Sequence, residues 1–124
     1  MKRDELVRYL DGYLRLADFP QDPSLNGLQV EGKEEVRKVG AAVDAAEATF
    51  QKALEEGVDF LVVHHGLFWG KPFPIRGHHR RRLALLFQGG INLYAAHLPL
   101  DAHPEVGNNF VLARALGLVD LAPY

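Results

Sequence analysis

The hydrophobic residues at the start of the chain recur at helical spacing. Leu6, Val7, Leu10 and Leu14 fall on one face, and Asp4 precedes them in a position that suits an N-cap. This pattern predicts a first amphipathic helix of about four turns. The following residues 19–32 carry two prolines and two glycines, which indicates an ordered loop with a short strand at residues 28–30.

Three later segments carry helix signals at their ends. Asp44 followed by Glu47 resembles a capping box with Asp in the usual Ser or Thr place, and that helix is expected to run to about residue 56 before Gly57. Residues 78–88 form another helical pattern that two glycines end. The last predicted helix covers residues 108–116 and ends before Gly117, with Asn108 or Asn109 as its N-cap.

Short apolar runs lie between these helices and predict strands at residues 36–43, 59–63 and 91–96. Strands that alternate with helices of these lengths are typical of a βαβαβ arrangement, in which helices cover both faces of a mainly parallel sheet. The sequence contains no internal repeat and no Pro/Gly/Ser linker. We therefore expect a single α/β domain over residues 1–124.

Polar residues that could carry chemistry follow the predicted strands. Asp44 comes after the first, His64 and His65 after the second, and His97 and Asp101 after the third. In open sheets of this kind, ligands bind outside the carboxyl ends of the strands. Imidazole is a common ligand for zinc, iron and manganese, although a hydrogen-bonded structural histidine is the alternative in each case.

The adjacent histidines favour two metal ions over one. Neighbouring side chains diverge at a strand end, so His64 and His65 are expected to bind one ion each, with the Asp101 carboxylate bridging them. Paired ions about 3.5–4 Å apart polarise a substrate oxygen in many hydrolases. The loop of residues 97–109 offers His97 as a base or a ligand and His103 as a hydrogen-bond donor to a ligand or a solvated side chain, while Glu105 suits the N-terminal dipole of the last helix.

A basic run opens the predicted helix at residues 78–88, and its members are Arg76, His78, His79, Arg80, Arg81 and Arg82. A solvated helix face is the favoured interpretation, and recognition of a phosphate group is the alternative. Trp69, with Phe68 and Phe73, is expected to pack in the core or a lid, or to stack on a heterocyclic base.

Composition narrows the class of protein. The chain has 48% hydrophobic and 24% charged residues, as an ordinary globular domain does, and its lack of cysteine excludes disulfides, cysteine-zinc sites and thiol nucleophiles. Its net charge of −2 gives no basis for nucleic-acid binding. Charges interrupt the N-terminal segment and no apolar run approaches about 20 residues, so we expect a cytoplasmic protein without membrane contact.

Three segments resemble the NGG-interacting factor three-like family, also known as the GTP cyclohydrolase one type two homologue family. They are residues 26–32 (NGLQVEG), 59–69 (DFLVVHHGLFW) and 94–109 (YAAHLPLDAHPEVGNN). The resemblance implies one half of a three-layer α/β/α fold with two similar halves, assembled as a ring-shaped homohexamer. It also implies two divalent ions per subunit, zinc, iron or manganese, with His64, His65 and Asp101 as metal ligands and His97 close to the metals as a catalytic residue.

The family's second half has no counterpart in this sequence. In relatives that half supplies a further histidine and, four residues later, a glutamate that bridges both ions, so this chain is either a fragment or a half-length form. An uncovered sheet edge or apolar face predicts self-association. The resemblance implies a dinuclear-metal hydrolase acting on a nucleotide or phosphorylated heterocycle, and the alternative is a non-enzymatic scaffold in which metal is structural.

Overall fold

The computed structural model describes residues 1–122, in which helices and strands alternate along the chain. In chain order the elements are α1 (Arg3–Tyr13), a 3-10 turn (Leu16–Asp18), β1 (Gly27–Val30), β2 (Val39–Asp44), α2 (Glu47–Glu55), β3 (Phe60–His65), α3 (His78–Gly89), β4 (Asn92–Ala95), α4 (Leu98–Ala102) and α5 (Asn108–Ala115). None of the helices in this described part has the length and apolar character needed to cross a membrane.

The four strands form a mixed sheet in the order β1-β4-β3-β2. β2, β3 and β4 are parallel, with Val39 opposite Phe60 and Phe60 opposite Asn92, whereas β1 pairs antiparallel with β4. The predicted mainly parallel or mixed sheet is therefore confirmed. Because the three parallel strands are in register, their carboxyl ends meet at one edge, where the predicted site residues lie.

Side chains that alternate along the central strands enter two separate cores, so the sheet is the middle of three layers. Leu61 and Val63 of β3 join a core with α2 and α3, in which Phe50 and Leu86 are fully buried. The alternate residue Phe60 joins a second core on the opposite face, under α1. This is the expected α/β/α arrangement.

The first helix begins before the residue expected to cap it. Lys2, not Asp4, is the N-cap, and the Glu5 carboxylate accepts a hydrogen bond from the backbone N–H of Lys2 at 3.3 Å. Lys2 also forms a β-bridge with Glu35, which fixes where the chain enters α1. A long-range contact, invisible to a local pattern, thus sets the start of the helix.

Strand β2 covers residues 39–44, shifted from the predicted 36–43. Val36 is buried under α1, and the backbone N–H groups of Arg37 and Lys38 donate to the Asp59 carboxylate instead of to a strand. The apolar Val36 therefore belongs to the core but precedes the strand.

Asp44 is the last residue of β2, so the predicted capping box at Asp44 and Glu47 is wrong. Ala46 is the N-cap of α2, and the Asp44 carboxylate lies 2.7 Å from Nδ1 of His65. The end of α2 agrees with the prediction, since Gly57 has a φ of +65° just beyond it.

The polar loop expected over residues 97–109 contains the short helix α4. Pro99 lies in its first turn, where its missing N–H costs nothing. The following α5 has Gly107 as its N-cap, so neither Asn108 nor Asn109 caps it. Their side-chain amides donate instead to Asp101, to its carboxylate and its carbonyl oxygen respectively.

A buried polar network joins the amino ends of the parallel strands, opposite the predicted site. The fully buried Asn92 side chain accepts from the Gly32 N–H at 2.7 Å and donates to the carbonyl oxygens of Lys33 and Asp59. The Asp59 carboxylate accepts from Nζ of Lys33 at 2.8 Å. These bonds hold the segment before β2 against β3 and β4.

Replacing Asp59 with asparagine is expected to destabilise the fold at pH 7 by about 1–3 kcal/mol, because charged hydrogen bonds are lost. The Lys33 ammonium and two backbone N–H groups hold the pKa of Asp59 below its ordinary value of 3.8 despite its burial. Its contribution is thus complete above the unfolded pKa and is lost as pH falls through the lower, folded pKa. Urea unfolding at a series of pH values measures this.

The exposed variant Asp18→Asn, which loses an ion pair with Arg15, is the control and should change stability by less than about 0.5 kcal/mol. The difference in stability between wild type and Asp59→Asn should shrink as the pH falls below the ordinary aspartate pKa. A difference that stayed constant down to the acid limit would contradict the role given to the Asp59 charge.

Strand β2 is one edge of the sheet, and two of its exposed side chains are large and apolar. Val39 and Val43 are 53% and 61% exposed. An edge strand with uncovered apolar residues is a surface that pairs readily with other chains. The homohexamer implied by the family resemblance stays a prediction.

Candidate metal centre

Three histidines cluster where the parallel strands end. His64 and His65 are the last two residues of β3, so the strand runs two residues further than predicted, and His97 follows β4. One ring nitrogen from each lies within 4.8 Å of the others. Such a group could hold a metal ion.

The two adjacent imidazoles come together rather than diverge. The ring centroids of His64 and His65 are 4.5 Å apart, and that of His97 is 5.0 Å from His64. The alternation of a strand breaks down here because Nδ1 of each ring is held by a group at the end of a neighbouring strand, Ala96 beside β4 and Asp44 in β2. The binding of one ion by each histidine stays a prediction.

Each of the three rings has its Nδ1 occupied by an oxygen acceptor. Nδ1 of His64 lies 2.9 Å from the carbonyl oxygen of Ala96, that of His65 2.7 Å from the Asp44 carboxylate, and that of His97 2.9 Å from the Asp22 carboxylate. A carbonyl or carboxylate oxygen accepts, so each Nδ1 carries the proton. Each neutral ring then keeps a lone pair on Nε2, the form in which imidazole binds metal.

Asp101 reaches the cluster from helix α4. Its Oδ1 lies 3.6 Å from Nε2 of His64 and accepts a hydrogen bond from the Asn108 amide at 3.1 Å. The structure therefore places Asp101 beside His64, and its role as a metal ligand stays a prediction. Bridging of two ions by this carboxylate stays a prediction, and so does the catalytic role of His97.

Asp22 lies behind His97, and its side chain is fully buried. Burial favours the neutral carboxyl, but hydrogen bonds from the Asn26 amide, His97 and the backbone N–H groups of Ser24 and Leu98 outweigh it and lower the pKa of Asp22 to about 2. The group is thus a carboxylate at neutral pH, with four donors around it.

Close packing requires a glycine at position 66, directly after the two histidines. A Cβ at this position would lie 2.5 Å from Oε1 of Gln29 and 2.7 Å from Cβ of Ala95. That same Gln29 oxygen accepts from the backbone N–H of Leu67 at 2.7 Å, which fixes the turn after β3. Close packing of Gly66 therefore sets the exit of the chain behind the histidines.

Trp69 is the aromatic neighbour of the cluster. Its ring centroid lies 4.9 Å from that of His97 in an edge-on arrangement and 6.1 Å from that of His65, and its Nε1 donates to the Gly66 carbonyl oxygen. Phe68 stacks on Phe73 instead. Of the three aromatic residues singled out in the sequence, Trp69 is the one placed at the histidines.

His103 belongs to the packing of the fold. It is buried against Tyr13, and its Nδ1 accepts from the backbone N–H groups of Glu105 and Val106 while Nε2 donates to the Tyr13 carbonyl oxygen. Neither predicted role, solvated side chain or hydrogen-bond donor to a ligand, is correct. Glu105 accepts from the Tyr13 hydroxyl.

The basic run lies at the start of α3, and the contacts of Arg81 and Arg82 are with α2, the segment before it and the run itself. Arg81 pairs with Glu47, and Arg82 donates to the Ala45 carbonyl oxygen and contacts His79. Arg76 and Arg80 are exposed. Within residues 1–122, no hydrogen bond or ion pair joins this run to the three histidines. Recognition of phosphate by these residues stays a prediction.

Two carboxylates that support the histidines have roles that the sequence analysis does not predict. Asp44 stands at a predicted strand end but is assigned to a helix cap, although its position directly opposite His65 in the register is a usable signal. Asp22 sits between two prolines in a loop, 75 residues before His97. No local pattern identifies it.

The whole chain is similar to known proteins. The family model described as Duf34/NIF3 (NGG1p interacting factor 3) covers residues 1–124. Proteins named GTP cyclohydrolase 1 type 2 homolog from Deinococcus radiodurans and Pyrococcus abyssi are 57% and 49% identical over 98% and 100% of this chain, and over 46% and 49% of their own lengths. The crystal structure of TTHA1606 from Thermus thermophilus matches with a TM-score of 0.98 and 85% identity, over the whole of this chain and 51% of that one. The chain thus spans about half the length of the relatives that it matches.

Proposed function

Because the chain belongs to the Duf34/NIF3 (NGG1p interacting factor 3) family, we propose that it supplies one half of the centre of a metal-dependent hydrolase that acts on a nucleotide or another phosphorylated heterocycle. One observation carries the proposal. His64, His65 and His97 converge, and each has an oxygen acceptor at Nδ1, which leaves Nε2 free to bind a cation.

His64 and His65 hold the metal together with the Asp101 carboxylate, and the donor set of imidazole and carboxylate suits zinc, iron or manganese. When bound, a divalent ion supplies Lewis-acid polarisation of a substrate oxygen. The His97 side chain is 20% exposed and so is less accessible than that of His65, which is 44% exposed. His97 faces the same space as His64 and His65, where it acts as a further ligand or as the group that transfers a proton. The family resemblance implies a further histidine and a glutamate as ligands, and we infer that another polypeptide segment supplies them.

Two observations support the substrate class, one in the structure and one in the names of relatives. Trp69 offers an aromatic surface next to His65 and His97 on which a heterocyclic base can stack. The names of the relatives refer to GTP cyclohydrolase, and GTP is a purine nucleotide. The arginines at the start of α3 are the candidates for holding phosphate.

The test is metal binding by the purified chain. Titration with Zn²⁺, Fe²⁺ or Mn²⁺, followed by calorimetry, is expected to give at least one ion per chain. The double variant His64→Ala, His65→Ala should bind more than about 100-fold more weakly, because two imidazole ligands are lost. Equal affinity of wild type and double variant would remove the assignment.

The chain offers a matched control in a second pair of adjacent histidines, at the start of α3. The variant His78→Ala, His79→Ala removes the same chemistry elsewhere and should leave metal affinity unchanged. His97→Ala separates its two roles, since loss of a ligand lowers affinity whereas loss of a proton-transfer group lowers turnover alone. Turnover is followed as release of formate from the purine ring of GTP or of another nucleotide. Metal binding without such turnover would favour the scaffold function instead.

A further inference from the structure

The Asp22 carboxylate is a buried anion that is stabilised by hydrogen bonds alone. Its side chain is 0% exposed, and no ion pair with lysine or arginine involves it within residues 1–122. Oδ1 lies 2.9 Å from both the Ser24 N–H and Nδ1 of His97, while Oδ2 lies 2.8 Å from the Asn26 amide and 3.0 Å from the Leu98 N–H. A carboxylate donates nothing, so all four partners must be donors.

This requirement fixes the tautomer of His97. A neutral imidazole has one ring N–H, and here that proton must be on Nδ1 to meet the carboxylate, so Nε2 carries the lone pair. The backbone of His97 is held from the same loop, because its N–H donates to Oδ1 of Asn26 at 2.7 Å. Ring and main chain are thus both oriented by residues 22–26.

The same carboxylate also holds the helix that carries Asp101. Leu98, whose N–H donates to Asp22, is the first residue of α4, and Asp101 lies three residues further along. The Asp101 carboxylate reaches within 3.6 Å of Nε2 of His64 from this helix. One buried group therefore contacts two separate arms of the site.

We propose that Asp22 is a positioning residue that holds His97 in the Nδ1–H tautomer and anchors α4, so that the His97 Nε2 and the Asp101 carboxylate face the same space before any cation binds. This inference rests on the proposed function. An uncharged group of the same size cannot replace the carboxylate, because asparagine presents one acceptor oxygen to four donors.

The test is the variant Asp22→Asn, measured first without metal. In nitrogen-15 NMR spectra near pH 8, where an ordinary imidazole with a pKa of about 6.5 is neutral, wild-type His97 is expected to be protonated at Nδ1. In the variant the population should shift to the Nε2–H tautomer, because the amide can donate to Nδ1. His97→Gln identifies the resonances. Calorimetry with Zn²⁺ should then show a loss in affinity of about 10–100-fold.

Asp18→Asn is the matched control, an exposed aspartate on the same segment that pairs with Arg15. It should change neither tautomer nor affinity. A wild-type His97 protonated at Nε2 in the metal-free protein overturns the proposal without any variant, so the test survives even if Asp22→Asn does not fold. Unchanged tautomer and affinity in a folded Asp22→Asn also overturn it. Failure of wild type to bind Zn²⁺ refutes the proposed function, whereas the tautomer still decides the role of Asp22.

Discussion

An alanine in place of Gly107 is expected to lower the free energy of unfolding by about 2–3 kcal/mol, although it adds only one methyl group. The new Cβ would lie 2.2 Å from the carbonyl oxygen of His103 and 2.6 Å from that of Leu100. These are backbone atoms at the end of α4, and the Gly107 N–H donates to the same His103 oxygen at 2.9 Å. The connection between α4 and α5 must therefore move. Urea unfolding followed by circular dichroism measures the loss.

Gly12→Ala is the control for this substitution, since no atom outside the backbone of its own helix lies within 4 Å of the added Cβ and the residue is inside α1. It should stabilise the protein slightly, by up to about 1 kcal/mol, because alanine favours the helix. Opposite signs for the two variants are the expected result. Equal stability of Gly107→Ala and wild type would show that the chain relaxes at no cost around residue 107.

Asn92→Ala is expected to cost about 3 kcal/mol. The variant removes a fully buried amide and leaves the Gly32 N–H and the Lys33 carbonyl oxygen without their partner, and each unsatisfied group costs about 1–3 kcal/mol. The bond from the Asn92 backbone N–H to the Asp59 carbonyl oxygen remains. Guanidinium unfolding at pH 7 gives the difference from wild type.

The exposed amide of Gln51, which donates to Glu55 within α2, provides the comparison. Gln51→Ala should change stability by less than about 0.5 kcal/mol, since water replaces the lost partner. A similar small effect for Asn92→Ala would mean that water enters the network and satisfies the freed groups.

Local periodicity was sufficient to predict the layers of the fold. Leu61 and Val63 alternate with Phe60 along β3, and the leucines of α1 recur at helical spacing, so burial follows directly from sequence spacing. Helix starts were less predictable. Lys2 and Ala46 cap α1 and α2 because distant strands and bridges fix where the chain enters each helix, whereas the expected caps Asp4 and Asp44 have other contacts.

The candidate site was predictable to the extent that strand ends determine it. His64, His65, His97 and Asp101 were identified because the carboxyl ends of parallel strands meet at one edge. The convergence of the two adjacent rings was not, since it depends on the Ala96 carbonyl oxygen and the Asp44 carboxylate across the sheet. Asp22 depends on a contact 75 residues away in sequence, which no periodic pattern contains.

The Asp59 and Asn92 network lies at one end of the parallel strands and the histidines lie at the other, with the apolar layers between them. The hydrogen bonds of Asp59 and Asn92 thus hold the strands together without involving the three histidines. If the histidines bind a cation as proposed, substitutions at positions 64, 65 and 97 are expected to alter which cation is preferred while the scaffold keeps its shape. Such a separation would make the fold a suitable template for engineering new selectivity.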